Sequence, residues 1–265
     1  MATALEVIGA KVTNPGAGPT ACTPSAGDTF SVRFAPGQTQ AFLVALWGQE
    51  ASAGFVQVRS PKLHDPVRGF RGRVLAGVTR NLVDLRFSQR LTPQDVLTIE
   101  AAGGAAETDA FGLLIYYPDF QGPTQRLAAW EQVDPRAQNY LTVDLAMVAP
   151  TVAGDWSAGT LLNVAASGDL LKPNTDYALL GYLTDLACTS VSVRGADTGN
   201  LRIGGPGTTE AIETRSWFAD LARDLGTPAI PILNSAGKGA IVVAQQNNTA
   251  AGTPNVDLIL AELSG

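Results

Sequence analysis

Few residues of this chain have the type and spacing that catalysis requires. His64 is the only histidine among the 265 residues, and Asp65 follows it directly. A Ser-His-Asp site needs the imidazole held between a nucleophile and a carboxylate, and neighbours along the chain do not supply that geometry. The Gly-x-Ser-x-Gly elbow of the hydrolases does not occur. We therefore interpret His64 as a loop histidine that makes hydrogen bonds.

Carboxylate chemistry has candidates but no recognisable pair. A glycosidase needs two carboxyl groups that face each other at about 5 to 10 Å across a cleft. Glu50, Asp185 and Glu262 are candidates, yet nothing in the sequence brings any two of them together. Isolated acidic residues at strand ends are normally solvated, which is the simpler interpretation.

Metal and thiol chemistry is equally poorly supported. One histidine and two distant cysteines, Cys22 and Cys188, cannot form a zinc site. Asp and Asn oxygens in loops leave a calcium site open as an alternative. The cysteines do not occupy equivalent positions in the repeat described below, so we expect reduced thiols. The sequence thus predicts no catalytic residue, no metal and no cofactor.

Two glycine-rich segments superficially resemble nucleotide-binding loops. In residues 234–239, Lys238 is followed by Gly239 rather than by Ser or Thr, and the first glycine of a phosphate loop is missing. In residues 204–207, Pro206 interrupts the dinucleotide pattern. We interpret both segments as turns.

Composition favours a globular protein with an extensive core. Hydrophobic residues make up 45% of the chain, and mean hydropathy is +0.10. No apolar stretch is long enough to span a membrane, and the N-terminus lacks the features of a signal peptide, so we expect synthesis as a soluble protein. A net charge of -6 disfavours direct nucleic-acid binding. The low charged fraction of 16% suggests that much of the surface meets other protein.

The chain repeats itself. Residues 42–93 match the stretch 135 positions later at ten of 52 places, where about three or four are expected by chance. The matches include Val56, Val58 and Arg59 opposite Val191, Val193 and Arg194, Thr79–Arg80 opposite Thr214–Arg215, and Thr92–Pro93 opposite Thr227–Pro228. Phe42 and Trp47 lie opposite Tyr177 and Tyr182 at the same offset. The repeated arginines are expected to pair with carboxylates, either within the chain or between subunits.

The repeat extends towards both ends. Residues 5–12 match 141–148 at an offset of 136, and residues 95–99 and 111–115 match 240–244 and 256–260 at an offset of 145. The second copy has therefore gained about ten residues. We predict a first module over 1–120, a linker over 121–135 and a second module over 136–265.

Short apolar or alternating runs, separated by Gly, Pro, Asn and Asp, predict strands in both modules. The expected strands are 5–13, 28–34, 40–47, 53–59, 67–75, 94–101 and 110–117, then 140–148, 159–165, 176–184, 189–194, 201–204, 229–233, 239–245 and 255–263. Seven or eight strands in about 120 residues are typical of a β-sandwich or jelly roll. The fold class is all-β, with two tandem modules related by duplication.

One segment has helical spacing. Trp217, Phe218, Leu221 and Leu225 fall on one face of a helix over 214–225, which Gly226 ends. The equivalent residues 79–88 also alternate like a strand, so both assignments stay open there. Residues 126–133 of the linker could form a short helix with Trp130 as its buried anchor.

This organisation resembles the double jelly-roll capsid proteins of icosahedral viruses. The resemblance covers the whole chain as two tandem sandwiches with a helix before the last strands of a module, and it includes no specific motif. It implies homotrimers or higher assemblies that tile a shell, contacts with other virion proteins, and a location in the virion after synthesis in the host cytoplasm. A coat, decoration or vertex protein fits equally, and a bacteriophage is the favoured source.

Two rival functions come from other classes. A glycan-binding tail or adhesion module would expose aromatic platforms, for which Trp47, Trp156, Tyr182 and Trp217 are the candidates. A carbohydrate-active enzyme would need the missing carboxylate pair. We expect a structural protein that is not an enzyme.

Overall fold

The regular structure of the described residues is mainly antiparallel strands, as the alternating runs predict. The computed structural model describes residues 2–33, 37–49, 54–63, 67, 69–74, 80–81, 89–103, 107–164, 171–207 and 214–265. The strands of the first half are β1 (Ala2–Thr13), β2 (Thr20–Ala21), β3 (Thr23–Pro24), β4 (Ala41–Gln49), β5 (Gly54–Arg59), β6 (Phe70–Val74), β7 (Arg80–Asn81), β8 (Gln89–Leu91), β9 (Thr98–Ala102) and β10 (Thr108–Phe120).

The described part of the second half contains further strands and two short α-helices. Its elements are β11 (Leu127–Ala128), α1 (Trp130–Val133), β12 (Ala137–Ala146), β13 (Thr160–Leu161), β14 (Asp176–Thr184), β15 (Ser190–Arg194), β16 (Ile203–Pro206), α2 (Trp217–Leu225), β17 (Ile230–Asn234), β18 (Val242–Gln246) and β19 (Asn255–Leu263). None of the described helices is long and apolar enough to cross a membrane.

The strands form four sheets, two in each half. Sheet I has the order β3-β1-β10-β4-β7, with β8 also paired to β4, and sheet II has the order β2-β9-β5-β6. Sheet III has the order β11-β17-β14-β19-β12, and sheet IV has the order β13-β18-β15-β16. The neighbours β1-β10-β4-β8 therefore correspond to β12-β19-β14-β17, and sheet II corresponds strand by strand to sheet IV. Two sandwiches of one topology confirm the predicted duplication.

A β-bulge fixes how the two copies align. In the β4–β10 ladder the register shifts at Val44, and in the β14–β19 ladder it shifts at Leu180. These bulges are 136 positions apart, so the predicted offset of 135 is wrong by one residue in this strand. A slip of one residue reverses the faces of a strand. Trp47, predicted to match Tyr182, accordingly points towards the second sandwich, whereas Tyr182 donates a hydrogen bond to Pro206 within its own sandwich.

Several predicted elements differ in extent. Residues 28–33 form only an isolated bridge from Ser31 to Val96 instead of a strand. The predicted strand 159–165 shortens to β13, because a 3-10 turn over Leu162–Val164 follows it. The predicted linker contributes β11, which pairs with β17 and extends sheet III. Of the ambiguous segment 79–88, Arg80–Asn81 forms β7, and the rest lies outside the described residues.

The helix of the second module begins later than predicted. α2 begins at Trp217 and ends at Leu225, and Gly226 adopts the left-handed conformation with φ of 61° that closes it. Phe218 packs edge-on against Tyr182, and the Trp217 indole N–H donates to the Gly204 carbonyl. Trp130 of α1 is not a buried anchor; it is half-buried beneath the Arg223 guanidinium, 4.0 Å from the ring centroid.

The two sandwiches pack on each other as a stack of sheets. One face of sheet I packs on sheet II, through side chains such as Ile8, Leu43 and Leu113. The opposite face, which includes Val7 and Trp47, joins the core of the second half. The layers therefore run II, I, IV, III, and sheet I is buried on both faces.

Glycines make room for large rings in this buried sheet. On neighbouring strands Trp47 lies opposite Gly112, and Phe111 lies opposite Gly48. A Cβ atom at Gly112 would come within 2.3 Å of the Trp47 ring, and one at Gly48 within 2.3 Å of Phe111. The Trp47 indole N–H donates to the Ser190 hydroxyl of sheet IV at 2.8 Å. Trp47 thus connects the two sandwiches.

Replacing Trp47 tests this connection. We expect Trp47→Ala to lower the free energy of unfolding by about 3 to 5 kcal/mol, because a fully buried ring leaves a cavity at the junction. Chemical denaturation measures the change. Val148→Ala, at an exposed position, is the control and should change the free energy by less than about 0.5 kcal/mol. A loss for Trp47→Ala as small as the control's would contradict the shared core.

Candidate functional site

The structure does not bring the predicted carboxylates together. Glu50, His64 and Asp65 lie outside the described residues. Glu262 lies opposite Tyr177 at one end of the β14–β19 ladder, and Asp185 follows Thr184 at the other end. Eight residues of extended chain separate the two positions by roughly 25 Å, which is too far for paired acid–base catalysis.

Each of these two carboxylates has ordinary partners. Asp185 accepts hydrogen bonds from the backbone N–H and side-chain amide of Asn255, at 2.7 and 2.8 Å. Glu262 pairs with Lys172 at 2.5 Å and also accepts from Asn139. The hydrogen bonds from Lys172 and Asn139 lower the pKa of Glu262. A general acid requires the opposite shift, so Glu262 is a stabilised carboxylate.

The glycine-rich segments are structural. Asn234 ends β17, and residues Ser235–Gly237 form a 3-10 turn whose first N–H groups are partly capped by the Asn234 side chain. Gly204 and Gly205 lie within β16 rather than in the predicted turn. A Cβ atom at Gly205 would come within 2.5 Å of the Trp217 ring, so that glycine allows the helix to pack against the sheet.

Among the described residues, the two cysteines and the acidic side chains form no site with an activated thiol or a metal-binding cluster. Cys22 and Cys188 are both buried and form no disulfide. Burial raises the pKa of Cys188 to about 12, and a thiol in that state is a poor nucleophile. Among the residues that the structure describes, no group of three or more His, Cys, Asp or Glu side chains could hold a metal ion.

The repeated arginines have different environments. Arg59 forms a two-pronged ion pair with Glu100 at 2.6 and 2.8 Å, and Gln57 donates to the same carboxylate. This is an ion pair within the first sandwich, one of the two predicted alternatives. Arg194 is exposed beside a small cavity between the sandwiches, which Asp28, Arg33 and Arg202 also line.

A buried ion pair connects the two sandwiches. The Asp28 carboxylate binds the Arg202 guanidinium and also accepts from the Gly9 N–H and the Trp156 indole, both at 2.7 Å. Burial raises the pKa of Asp28, and the nearby Arg202 charge partly opposes that shift. The Lys11–Asp155 pair at 2.7 Å crosses the same junction. These contacts fix the orientation of one sandwich on the other.

A buried glutamine completes the junction. The Gln246 side chain lies in sheet IV and is fully buried. Its amide N–H groups contact the Ser25 hydroxyl at 2.9 Å and the Ala10 and Phe111 carbonyls at 3.3 Å, and its oxygen accepts from Ser190 at 2.8 Å. Sheets I and IV are therefore joined by satisfied polar contacts as well as by apolar packing.

The surface feature that best fits a function is a set of exposed apolar side chains in the second half of the chain. Seven large hydrophobic residues are exposed in the described part of the chain, and four of them fall within residues 140–161. Tyr140 is 62% exposed, on β12 at the edge of sheet III. We define the open flank as β12 together with the exposed side chains of Tyr140, Val148, Val152 and Leu161. Exposed apolar side chains and an uncovered sheet edge are features of protein contact surfaces.

Comparisons with known proteins do not identify a family. No protein-family model and no curated protein matches the chain. Among solved structures, the chain is similar to the PBSX exported protein XepA, with 11% identity, TM-score 0.28, and coverage of 97% of this chain and 86% of that one.

Two further solved structures are virus proteins by their titles. One is the triple jelly-roll turret of an archaeal virus, with 10% identity, TM-score 0.25, and coverage of 100% of this chain and 80% of that one. The other is the T=1 Penaeus vannamei nodavirus, with 10% identity, TM-score 0.21, and coverage of 99% and 98%. TM-scores this low carry no argument about shared function.

The buried junction pair makes a quantitative prediction. We expect Asp28→Asn to lower the free energy of unfolding by about 3 to 5 kcal/mol, because it leaves the Arg202 charge buried without its partner. Asp220→Asn breaks an exposed pair with Arg223 and is the matched control, with an expected change of about 0 to 1 kcal/mol. Chemical denaturation compares the two variants. Equal effects would show that the junction pair does not hold the sandwiches together.

Glu262 predicts a pH dependence on the acid side. Its folded pKa lies below the unfolded value, so its stabilising contribution is present above about pH 4.3 and is lost as the pH falls through the lowered pKa. We expect Glu262→Gln to reduce the decline of the unfolding free energy on acidification. Denaturation curves from about pH 3 to pH 6 measure this. Parallel declines in wild type and variant would contradict the assignment.

Proposed function

We propose that this chain is a structural protein of a virus particle, either a capsid or a capsid-associated protein, which assembles through its flanks. The observation that carries the proposal is the pair of sandwiches of one topology, rigidly joined through a shared core and leaving an open flank. Three such chains present six similar lobes, an arrangement that suits near-hexagonal packing. Homotrimers or pseudo-hexameric units are the proposed assembly, and bacteriophages are the proposed source.

The distribution of aromatic residues favours this function over glycan binding. A glycan-binding surface needs exposed aromatic rings, whereas Trp47, Trp156, Tyr182 and Trp217 are all buried. Their rings instead connect sheets and anchor α2. Tyr140 is exposed, but it is a single ring on the edge strand β12, which suits a protein contact.

The environments of the acidic residues support a role without catalysis. Asp185 and Glu262 are separated along the same ladder, and the pKa of Glu262 is lowered rather than raised. Asp28 is buried in an ion pair with Arg202 at the junction. These carboxylates stabilise the fold, so we propose that the protein has no enzymatic activity.

Solution assembly of the purified chain tests the proposed function. We expect size-exclusion chromatography with light scattering to show trimers or larger species, and electron microscopy to show rings, plates or shells. Glycan-array binding and oligosaccharide hydrolysis are measured on the same sample. A monomer at all accessible concentrations, or a monomer that binds or cleaves oligosaccharides, would contradict the proposal.

A further inference from the structure

The edges of the two equivalent strands, β1 and β12, differ in how their hydrogen-bonding groups are satisfied. β1 pairs with β10 on one side, and β12 pairs with β19 in the same way. The other side of each strand faces away from its sheet neighbour. A strand edge presents backbone N–H and C=O groups from every second residue.

The edge of β1 is closed by contacts within the chain. The Gln125 side chain bonds to both the N–H and the C=O of Leu5 at 2.8 Å. The Val7 N–H donates to the Arg202 carbonyl at 2.8 Å. The Gly9 N–H donates to Asp28, and the Gly9 carbonyl accepts from the Ser25 N–H at 2.9 Å. Most of these partners come from the linker, the second sandwich and the β3 turn.

The edge of β12 has no such cover at its centre. The Met147 N–H bonds to Pro254, which continues the ladder towards β19. The alternation of an antiparallel ladder therefore turns the backbone groups of Tyr140 and Thr142 outward. Leu5 and Val7 pair with β10 as Tyr140 and Thr142 pair with β19, so these residues correspond at an offset of 135. The offset of 136 predicted for this strand is therefore wrong by one residue. In the described part of the chain, no hydrogen bond reaches the outward backbone groups of Tyr140 or Thr142.

β12 also lacks the usual protection of an edge strand. Natural edges are short or carry Lys, Pro or a strong bulge. β12 spans ten residues, Ala-Gln-Asn-Tyr-Leu-Thr-Val-Asp-Leu-Ala, with no Lys or Pro and a register shift only near Ala137. The other described strands at sheet edges have two to five residues, apart from the β1 edge that is already closed. An unprotected edge of this length is suited to pairing with another strand.

We propose that β12 pairs antiparallel with β12 of a second copy of this chain, so that sheet III continues across a two-fold axis. This rests on the proposed function and deepens it: a two-fold contact cannot close a trimer, so it is the lateral contact that joins one trimer to the next. A second β12 has the matching length and the same outward groups. β12 carries one charge, Asp144. Centring the axis on Thr142 places Asp144 opposite Tyr140 of the partner, whereas centring it on Asp144 would oppose two carboxylates.

The contact is isologous, so each chain contributes the same residues. Tyr140 of each copy lies on the exposed face of the continued sheet, where its ring lies beside Asp144 of the second copy. Val148 follows the end of β12, and Leu161 is next to Thr160, whose hydroxyl donates to the Ala146 carbonyl of β12 at 3.0 Å. The pairing removes the exposed edge that aggregation would otherwise use.

Proline at position 142 is the direct test. Thr142→Pro removes an outward N–H, and the exposed side chain is not part of the core. We expect Thr142→Pro to raise the dissociation constant of the copy-to-copy contact by about tenfold or more, because each change acts twice across the axis. Thr142→Ala is the matched control, since it changes the side chain but keeps the N–H, and it should assemble like wild type. Analytical ultracentrifugation measures both, and thermal unfolding verifies that both variants fold.

A cysteine variant tests the register without weakening the edge. Thr142→Cys places two thiols opposite each other at the proposed axis, within disulfide range. We expect it to form a covalent dimer under mild oxidation, whereas Thr249→Cys, on an exposed loop, should not. The native cysteines are buried and do not compete.

The outcomes separate this inference from the proposed function. Ordered particles that form equally well with Thr142→Pro, or Thr142→Cys that stays monomeric on oxidation, would overturn the β12 pairing and leave the structural role standing. Dimers that depend on Thr142 but never form larger particles would support the pairing and contradict the virion role. A wild-type chain that stays monomeric would overturn both.

Discussion

The whole structure depends on a sheet that is buried on both faces. Sheet I lies between sheet II of its own sandwich and sheet IV of the second one, and the long strands β1, β4 and β10 are enclosed along most of their length. A central sheet of this kind cannot use the alternating polar pattern of an ordinary sandwich. It must also match side-chain volumes on two sides at once. In the β4–β10 ladder, each large ring lies opposite a glycine of the neighbouring strand: Trp47 opposite Gly112, and Phe111 opposite Gly48. This pairing matches the side-chain volumes on both faces of the sheet.

Burial on both sides also explains the polar groups at the junction. Where two sandwiches meet, the polar backbone and side-chain groups of the facing surfaces lose their contact with water. They then need hydrogen-bond partners within the protein. Gln246 supplies several of these partners from the centre of the interface, and Asp28 neutralises Arg202 beside it. Such satisfied polar contacts specify one orientation of the sandwiches, which apolar packing alone would leave less defined. The junction therefore holds the two sandwiches in one fixed orientation.

The sequence predicted the repeated fold because periodicity and turn chemistry are local. The strands β14 and β19 have the predicted ends, since buried β-branched and leucine runs are bounded there by turn residues. The alignment of the copies was wrong by one residue at Trp47, because a bulge cannot be seen in a pattern of identities. The two-residue strands and the Asp28–Arg202 pair could not be predicted either, since they depend on contacts between distant segments. In the sequence, the open flank has one recognisable feature, which is the long β12 segment without Lys or Pro.

The difference between β1 and β12 shows how a duplication can give two equivalent strands different surroundings. Both strands descend from the same position of the repeated unit, and both would expose the same row of backbone groups in an isolated sandwich. In the first copy the linker and Arg202 close that row, so the contact is satisfied inside the chain. In the second copy, no described segment bonds to the equivalent backbone groups of Tyr140 and Thr142. Joining two sandwiches in one chain therefore covers the edge of β1 from within the chain. The equivalent edge of β12 stays open to the neighbouring chain that we propose. Under the proposed function, that asymmetry would give each chain one closed and one open edge, which two separate identical sandwiches could not supply.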